Sequence, residues 1–218
     1  MNRVAERHPA LLRDLLAGPG LSILVSHLCA LAAGHWRQWG DRYAGGGGEQ
    51  QGEQEGGEQG GASDPVPTNW PFEALRTLIV RGGLLSLYAA ALTLHMQATE
   101  GGVGASYEYA LEEGSLASLL LATARVFRAL RLDHGFAVER ERVAAARAAA
   151  SSSSSAPTSQ PTLLVAVLPQ CLASTGLGRT LASLLQLEMA QGAAGSETTI
   201  SALLACLSAL DECEAVLC

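Results

Sequence analysis

Lysine is the clearest absence from this chain of 218 residues, because all 14 of its basic residues are arginine. Without lysine the chain has no Schiff-base lysine, no lysine for a phosphate-binding loop and no lysine general base. The net charge of −7 at pH 7 also argues against binding nucleic acid or anionic lipid through the surface as a whole. The composition therefore excludes several classes of enzyme and predicts no nucleic-acid partner.

Residues that favour β-strands are scarce as well. Aromatic residues make up 5% of the chain and Ile occurs three times, so a large sheet has little from which to be built. The hydrophobic content of 48% is mostly Leu and Ala, which have high helix propensity. We therefore predict an all-α fold.

The cysteines offer no sign of a disulfide framework. Their number is five, which is odd, and none of them forms a CxxC pair; this pattern favours buried free thiols in a reducing compartment. Cys206 and Cys213 share a helix face, but no His lies near them in sequence, so we expect no metal site and no cofactor. The first residues lack the apolar core of a signal peptide, and we expect a cytoplasmic protein or one of another reducing intracellular compartment.

Residues 112–132 contain the clearest helical pattern in the chain. Large apolar residues recur there at steps of three and four, which predicts one continuous apolar stripe on an α-helix. The stripe consists of Leu116, Leu119, Leu120, Thr123, Phe127 and Leu130. Arg125, Arg128 and Arg131 fall on a different row of the same helix.

Two low-complexity segments divide the chain. Residues 44–68 form a Gly/Glu/Gln-rich insert and residues 148–160 an Ala/Ser-rich linker; we predict that both are disordered, because they have too few apolar side chains to offset the entropy of ordering. They leave an N-terminal helical hairpin at 1–43, central helical repeats at 69–147 and C-terminal helical repeats at 161–218.

Local signals predict where several helices begin and end. The hairpin contains helices over 8–17 and 21–43, and the Gly82-Gly83 pair separates two helices of the central region. Asp133 is predicted to cap a second helix that follows residues 112–132. Ser196 is predicted to cap a helix near the end of the chain, with another turn or helix after Leu210. The residues of that helix predicted to face inward are Ile200, Leu203, Leu204, Leu207 and Leu210.

Two other kinds of site have partial signals. The Gly176–Thr180 stretch partly matches a phosphate-binding loop, but Arg179 stands where the pattern requires Lys. Residues 77–95 are long enough to span a membrane but contain Arg81 and two glycines. We prefer a break between helices at Gly176-x-Gly178 and a buried core position for residues 77–95. Trp36 and Trp39 are expected to close the base of the helical layer rather than to lie at a membrane surface.

Short words repeat along the chain. L-A-S-L-L occurs at 116–120 and again at 181–185, and G-G-L-L-S-L at 82–87 is similar. At these residues the chain resembles armadillo and HEAT repeats, whose helices often open with an acidic residue, Gly, a small residue and Leu-x-x-Leu-Leu, as in E-E-G-S-L-A-S-L-L at 112–120. The resemblance covers roughly 130 residues, with a spacing shorter than the usual length of about forty. It implies antiparallel helical hairpins stacked as a segment of an α-solenoid.

The resemblance implies a non-enzymatic scaffold for protein–protein interaction, and the chain is expected to be a segment of a longer protein. We expect Arg125, Arg128 and Arg131 to bind an acidic peptide of a partner protein. A solvated helix face is the alternative for the same arginines. The alternatives for the whole chain are a membrane-associated helical protein that uses residues 77–95 and a nucleotide-binding enzyme that uses the Gly176–Thr180 stretch.

Overall fold

The computed structural model describes residues 14–15, 19–43, 70–100, 110–150, 173–190 and 196–217. Throughout these ranges the chain is helical and contains no strand, which confirms the prediction of an all-α fold. The helices are α1 Pro19–Tyr43, α2 Trp70–Val80, α3 Leu84–Glu100, α4 Glu113–Ala150, α5 Leu177–Ala190 and α6 Glu197–Leu217.

Helix α4 lies at the centre of the fold. Every member of its predicted apolar stripe is buried, from Leu116 through Phe127 to Leu130, because α4 packs extensively against α6 on one side and against α1 on the other. Removing a stripe of this width from water is the main stabilising contribution that a central helix can make. The predicted apolar stripe is therefore the buried face of a helix that has packing partners on two sides.

Helices α1, α4 and α6 run in the same direction. Ser26 of α1 is hydrogen-bonded to Arg125 of α4, and ten residues further along both helices the ring of Trp36 lies against Gly135. The contacts between α4 and α6 show the same pattern. Near the start of both helices the Ser196 hydroxyl donates a hydrogen bond to the Glu113 carboxylate, and towards the end of α6 Glu212 forms an ion pair with Arg131. A constant offset between paired residues occurs only when two helices are parallel.

The remaining helices pack beside this parallel row. Helix α2 lies mainly on α1, α3 lies mainly on α5, and α5 lies on α6. Helices α2 and α3 are bent by 51° at the Gly82-Gly83 pair, where the sequence predicted a break. The Thr77 carbonyl accepts hydrogen bonds from the backbone N–H groups of both Arg81 and Gly82, which closes the last turn of α2.

The predicted start of a new helix at Asp133 is wrong. Helix α4 runs without interruption through this residue to Ala150, past the predicted boundary at 147. Asp133 has no capping role there, since its carboxylate accepts two hydrogen bonds from the Arg76 guanidinium of α2, at 2.8 and 2.6 Å. A long-range partner therefore satisfies the side chain that, in sequence, looked like a local cap.

Ser196 does cap the last helix, as predicted. Its hydroxyl accepts a hydrogen bond from the Thr199 backbone N–H at 3.1 Å, which is the geometry of an N-cap. The helix then continues to Leu217, whereas the sequence suggested a new turn or helix after Leu210. Leu204 was predicted to face inward and is instead 53% exposed.

The break before α5 is shorter than predicted. Residues 173–175 are helical and Gly176 has a φ of +64°, but Gly178 already lies inside α5, where the side chain of Leu210 packs closely against it. Several predictions lie outside the described residues: most of the helix at 8–17, the 44–68 insert, and the linker beyond residue 150.

Candidate functional site

A groove lies between the parallel helices α1 and α4. Its volume is about 1020 Å³, and one residue of α6, Thr198, reaches its edge. The α1 wall is formed by Ser22, Ile23, Ser26, His27, Cys29, Ala30 and Ala33, and the α4 wall by Gly114, Ala117, Ser118, Leu121, Arg125, Arg128, Ala129 and Leu132.

Small residues create the space between the two helices. Ala30, Ala33, Gly114 and Ala117 stand at positions where larger side chains would fill the gap. With such residues the helices pack closely through their buried faces and leave a channel open along their outer edges. The groove is therefore a consequence of the residue sizes on both helices.

Apolar side chains are left exposed in this channel. Ile23 is 52% exposed and Leu121 is 44% exposed, and both line the groove. Exposed apolar groups in a concave surface are typical of binding sites, because a ligand can remove them from water.

Arg125 and Arg128 line the same groove beside these apolar groups. The Arg125 Nη1 donates a hydrogen bond to Ser26 Oγ at 2.7 Å, which holds one guanidinium across the channel. Arg128 is exposed one helical turn further on, and within the described ranges no carboxylate forms an ion pair with either arginine. The groove thus carries two positive charges that are not neutralised by an ion pair there.

Arg131 is in a different position from the other two predicted arginines. It is ion-paired with Glu212 of α6, and it is not among the residues that line the groove. Both partners are about half exposed, so the pair contributes little to stability. The structure therefore brings Arg125 and Arg128 together in one groove and places Arg131 at the edge of α4 that faces α6.

Cys29 lies at the floor of the groove, but its thiol has low reactivity. Burial raises the pKa of its thiol to about 12, although the nearby Arg125 acts in the opposite direction. Burial likewise raises the pKa of Cys206 to about 12 and that of Cys213 to about 11. Since the thiolate is the reactive form, these thiols are poor nucleophiles at neutral pH.

His95 has a structural role near the start of α4. Its Nδ1 accepts a hydrogen bond from the Leu111 backbone N–H at 3.0 Å, and burial lowers the pKa of the ring. The neutral imidazole therefore fixes the start of the segment that leads into α4. It lies away from the groove.

The two other kinds of site considered from the sequence are a metal site and a phosphate-binding loop. No group of three or more His, Cys, Asp or Glu side chains within the described ranges could hold a metal ion. The Gly176–Thr180 stretch forms the start of α5, where the Thr180 hydroxyl donates to the Gly176 carbonyl at 3.2 Å. Residues 151–172, which precede this stretch, lie outside the described ranges, so the strand required by a phosphate-binding loop is not tested.

No single helix in the described part of the chain is long and apolar enough to cross a membrane, although the bent pair α2 and α3 would be so in combination. Much of this pair is buried in the fold, including Phe72, Leu75, Leu85 and Leu92. Residues 77–95, the segment of the membrane-associated alternative, are interrupted by the bend after Val80.

Sequence reasoning found one wall of the groove and missed the other. The arginines of α4 form a separate row in the sequence, whereas Ser26 and Ile23 give no signal of their own. Ser26 meets Arg125 only across 99 residues of sequence, and Ile23 lines the groove from the same helix as Ser26. In the sequence, the α1 wall of the groove is indicated by a row of small and polar residues opposite the leucines of that helix.

Comparison of the chain with protein-family models, with curated proteins and with solved structures finds no match. These comparisons therefore do not confirm the resemblance to armadillo or HEAT repeats. The evidence for a function is the geometry of the groove.

Proposed function

We propose that this chain is a non-enzymatic protein-interaction module, built as an armadillo- or HEAT-like segment of stacked helices. The observation that supports the stacking is the shared direction of α1, α4 and α6, which are joined by shorter helices packed beside them. Repeated units that stack on their neighbours place equivalent helices parallel to one another. The bent pair α2 and α3 followed by the long α4 is one such unit.

The groove between α1 and α4 is the binding site in this proposal. Its ligand is an acidic segment of a partner protein that also carries an apolar side chain. Arg125 and Arg128 supply charge-assisted hydrogen bonds to carboxylates, while Ile23 and Leu121 offer an apolar contact next to them. The observation that carries the assignment is that these two arginines line a concave, partly apolar surface without a carboxylate ion-pair partner among the described residues.

A reducing intracellular compartment, such as the cytoplasm, is part of the same proposal. Cys29, Cys206 and Cys213 are free and buried, which is the usual state of cysteine in such compartments.

Selection from a library of random twelve-residue peptides, displayed on phage, tests the groove directly. We expect the purified chain to enrich peptides in which Asp or Glu lies near Leu, Ile or Phe. One enriched peptide, labelled with a fluorophore, then allows affinity to be measured by fluorescence anisotropy. Binding should weaken as salt is raised, since the charges are exposed to solvent.

The Arg125→Glu/Arg128→Glu variant should bind the enriched peptide at least ~100-fold more weakly, because two charge-assisted contacts are replaced by repulsion. Arg179→Glu is the matched control: it makes the same charge reversal at an exposed position of α5, away from the groove, and should leave the affinity nearly unchanged. Equal weakening in both variants, or enrichment of peptides without acidic residues, would contradict the proposal.

A further inference from the structure

Arg37 continues the face of α1 that lines the groove. It follows Ala30 by seven residues and Ala33 by four, and this spacing places all three on one side of the helix. Ala33 is the last lining residue of α1, so Arg37 lies one helical turn beyond the described wall. Its side chain is exposed, and among the described residues no carboxylate forms an ion pair with it.

The level of Arg37 along the groove follows from the packing of α1 on α4. Ser26 meets Arg125, and the ring of Trp36 lies against Gly135, so the offset between paired residues is 99 at both contacts. The two helices therefore keep one register as far as Arg37. At about 1.5 Å per residue, Arg37 is eleven residues, or about 16.5 Å, beyond the level of Arg125.

The described carboxylates of α4 close to this level already have partners. Two of them lie within one helical turn of the position opposite Arg37, and each is ion-paired: Asp133 with Arg76 and Glu139 with Arg142. Neither is therefore in position to neutralise Arg37, which adds a third unpaired positive charge to the two in the groove.

The groove has an apolar end and a positive end. Ile23 and Leu121 lie about one helical turn before Arg125. In the opposite direction, Arg128 lies about 4.5 Å beyond Arg125, and Arg37 a further 12 Å or about eight residues away. Arg125, Arg128 and Arg37 together are called the arginine row.

The shape of the groove favours a helix as its occupant. Two helices that lie side by side form a furrow along their axes, and the side chains of a third helix can pack into it. The described residues contain no strand, so they offer no sheet edge to which an extended peptide could add. A helix presents the same face again after eleven residues, which span three turns and about 16.5 Å. That length equals the distance along the groove between Arg125 and Arg37.

We propose that the partner segment is an acidic amphipathic α-helix that lies along the groove and contacts the whole arginine row. Its carboxylates stand at positions i and i+11, opposite Arg125 and Arg37, with a third one turn from the first, opposite Arg128. A leucine or similar residue on the other side of position i covers Ile23 and Leu121. If the helix runs in the opposite direction, the order of these residues is reversed but the spacings are the same.

This inference rests on the proposed function of the groove, and it adds the conformation of the partner and a role for Arg37. An extended segment would place its two outer carboxylates only about five residues apart, because each residue spans about 3.3 Å. The spacing of acidic residues in a bound peptide therefore distinguishes the two conformations.

A second phage-display library tests this spacing. Each of its eighteen positions is Ala, Gln, Glu or Leu, all of which favour helices. The complete 218-residue chain should enrich peptides that share two glutamates eleven positions apart. A third glutamate should lie one turn from one of them, with a leucine one turn beyond that same end. Enriched peptides whose outer glutamates are about five residues apart would indicate an extended ligand and overturn the proposal.

Arg37→Glu tests the far end of the arginine row. Fluorescence anisotropy should show an enriched peptide binding this variant about tenfold more weakly, because an exposed ion pair is replaced by repulsion. Arg179→Glu, the same charge reversal on α5 and away from the groove, should leave the affinity nearly unchanged. Circular dichroism checks that the helices are retained, and Arg37→Gln replaces Arg37→Glu if the latter loses helicity.

A change in the peptide identifies the partner of Arg37. Replacing the outer glutamate of the peptide by glutamine should weaken binding to the unchanged chain but not to the Arg37→Glu variant, where it removes a repulsion. Equal weakening in both proteins would show that this glutamate does not meet Arg37, and the proposal would be wrong.

The two proposals fail in different ways. If Arg125→Glu/Arg128→Glu weakens peptide binding and Arg37→Glu does not, the helical ligand and the role of Arg37 are rejected, while the groove remains a binding site for acidic segments. If neither library yields an acidic peptide, both proposals are rejected.

Discussion

Arg76 and Asp133 form the most deeply buried ion pair among the described residues. The Asp133 side chain is 4% exposed and that of Arg76 is 16% exposed. Burial raises the pKa of Asp133, while the hydrogen bonds and charge of Arg76 oppose that shift. The pair joins α2 to α4, so it fixes the position of one helix on another rather than adding a surface contact.

Removing one partner of this pair should be costly. Arg76→Ala leaves the Asp133 carboxylate buried without its guanidinium, and we expect the free energy of unfolding to fall by about 3–5 kcal/mol. Urea denaturation followed by circular dichroism measures this change.

Two further variants separate burial from charge. Arg76→Met/Asp133→Leu replaces the pair with apolar side chains and should recover most of the loss. Glu73→Ala removes only the exposed partner of Arg76 and should change stability by less than ~1 kcal/mol. A loss for Arg76→Ala no larger than that for Glu73→Ala would show that the buried pair is unimportant.

His95 should make stability depend on pH. Its pKa is lowered by burial in the folded protein, so below the ordinary value of about 6.5 the unfolded chain binds a proton that the folded chain does not. Stability from this group is therefore fully present above pH 6.5 and is lost as the pH falls from 6.5 towards the lowered pKa.

The measurement is the free energy of unfolding in urea at pH 7.5 and at pH 5.0. His95→Gln keeps an acceptor for the Leu111 N–H but cannot titrate, so its stability should fall less between these values than that of the unchanged chain. His27→Gln, on an exposed part of α1, is the control and should retain the original pH dependence. An identical pH dependence in His95→Gln and the unchanged chain would rule out this role for His95.

At the scale of the helices, the apolar periodicity predicted their positions well. The stripe of α4, the break at Gly82-Gly83 and the cap at Ser196 are all local features, and local sequence contains them. Asp133 was misread because a carboxylate before a helix-prone stretch is also a typical N-cap; its real partner, Arg76, is 57 residues away. Leu204 was placed inward because a leucine-rich helix does not show which of its sides has a neighbour.

The bend between α2 and α3 depends on glycine. Gly83 has a φ of +63°, and a Cβ at Gly82 would lie 2.6 Å from the Leu78 carbonyl oxygen. Gly83→Ala should lower the free energy of unfolding by about 1–2 kcal/mol, because a left-handed backbone is unfavourable for alanine. Gly34→Ala, in the interior of α1 and with open space around its Cβ position, should instead raise it by about 0.5–1 kcal/mol. Thermal or urea unfolding of the two variants compares them, and a loss of stability in Gly34→Ala equal to that in Gly83→Ala would contradict the role of Gly83 in the bend.

At the scale of the whole molecule, the parallel row of α1, α4 and α6 determines the proposed binding surface. The groove exists because α1 and α4 lie side by side with small residues between them. The direction of packing was not available from sequence, since it depends on pairs such as Ser26 and Arg125 that only the folded chain brings together.

Distances between spin labels test this row most directly. Pairs of labels are placed at exposed positions of α1 and α4, with Cys171 and Cys218 replaced by serine, and measured by double electron–electron resonance. Parallel packing predicts short distances for Ile23 with Leu121 and for Arg37 with Val138. The crossed pair of Ile23 with Val138 should be longer by roughly 20 Å, since seventeen residues of α4 separate its label positions and each adds about 1.5 Å. A crossed pair shorter than the other two, which antiparallel packing would give, would contradict the parallel row and, with it, the groove.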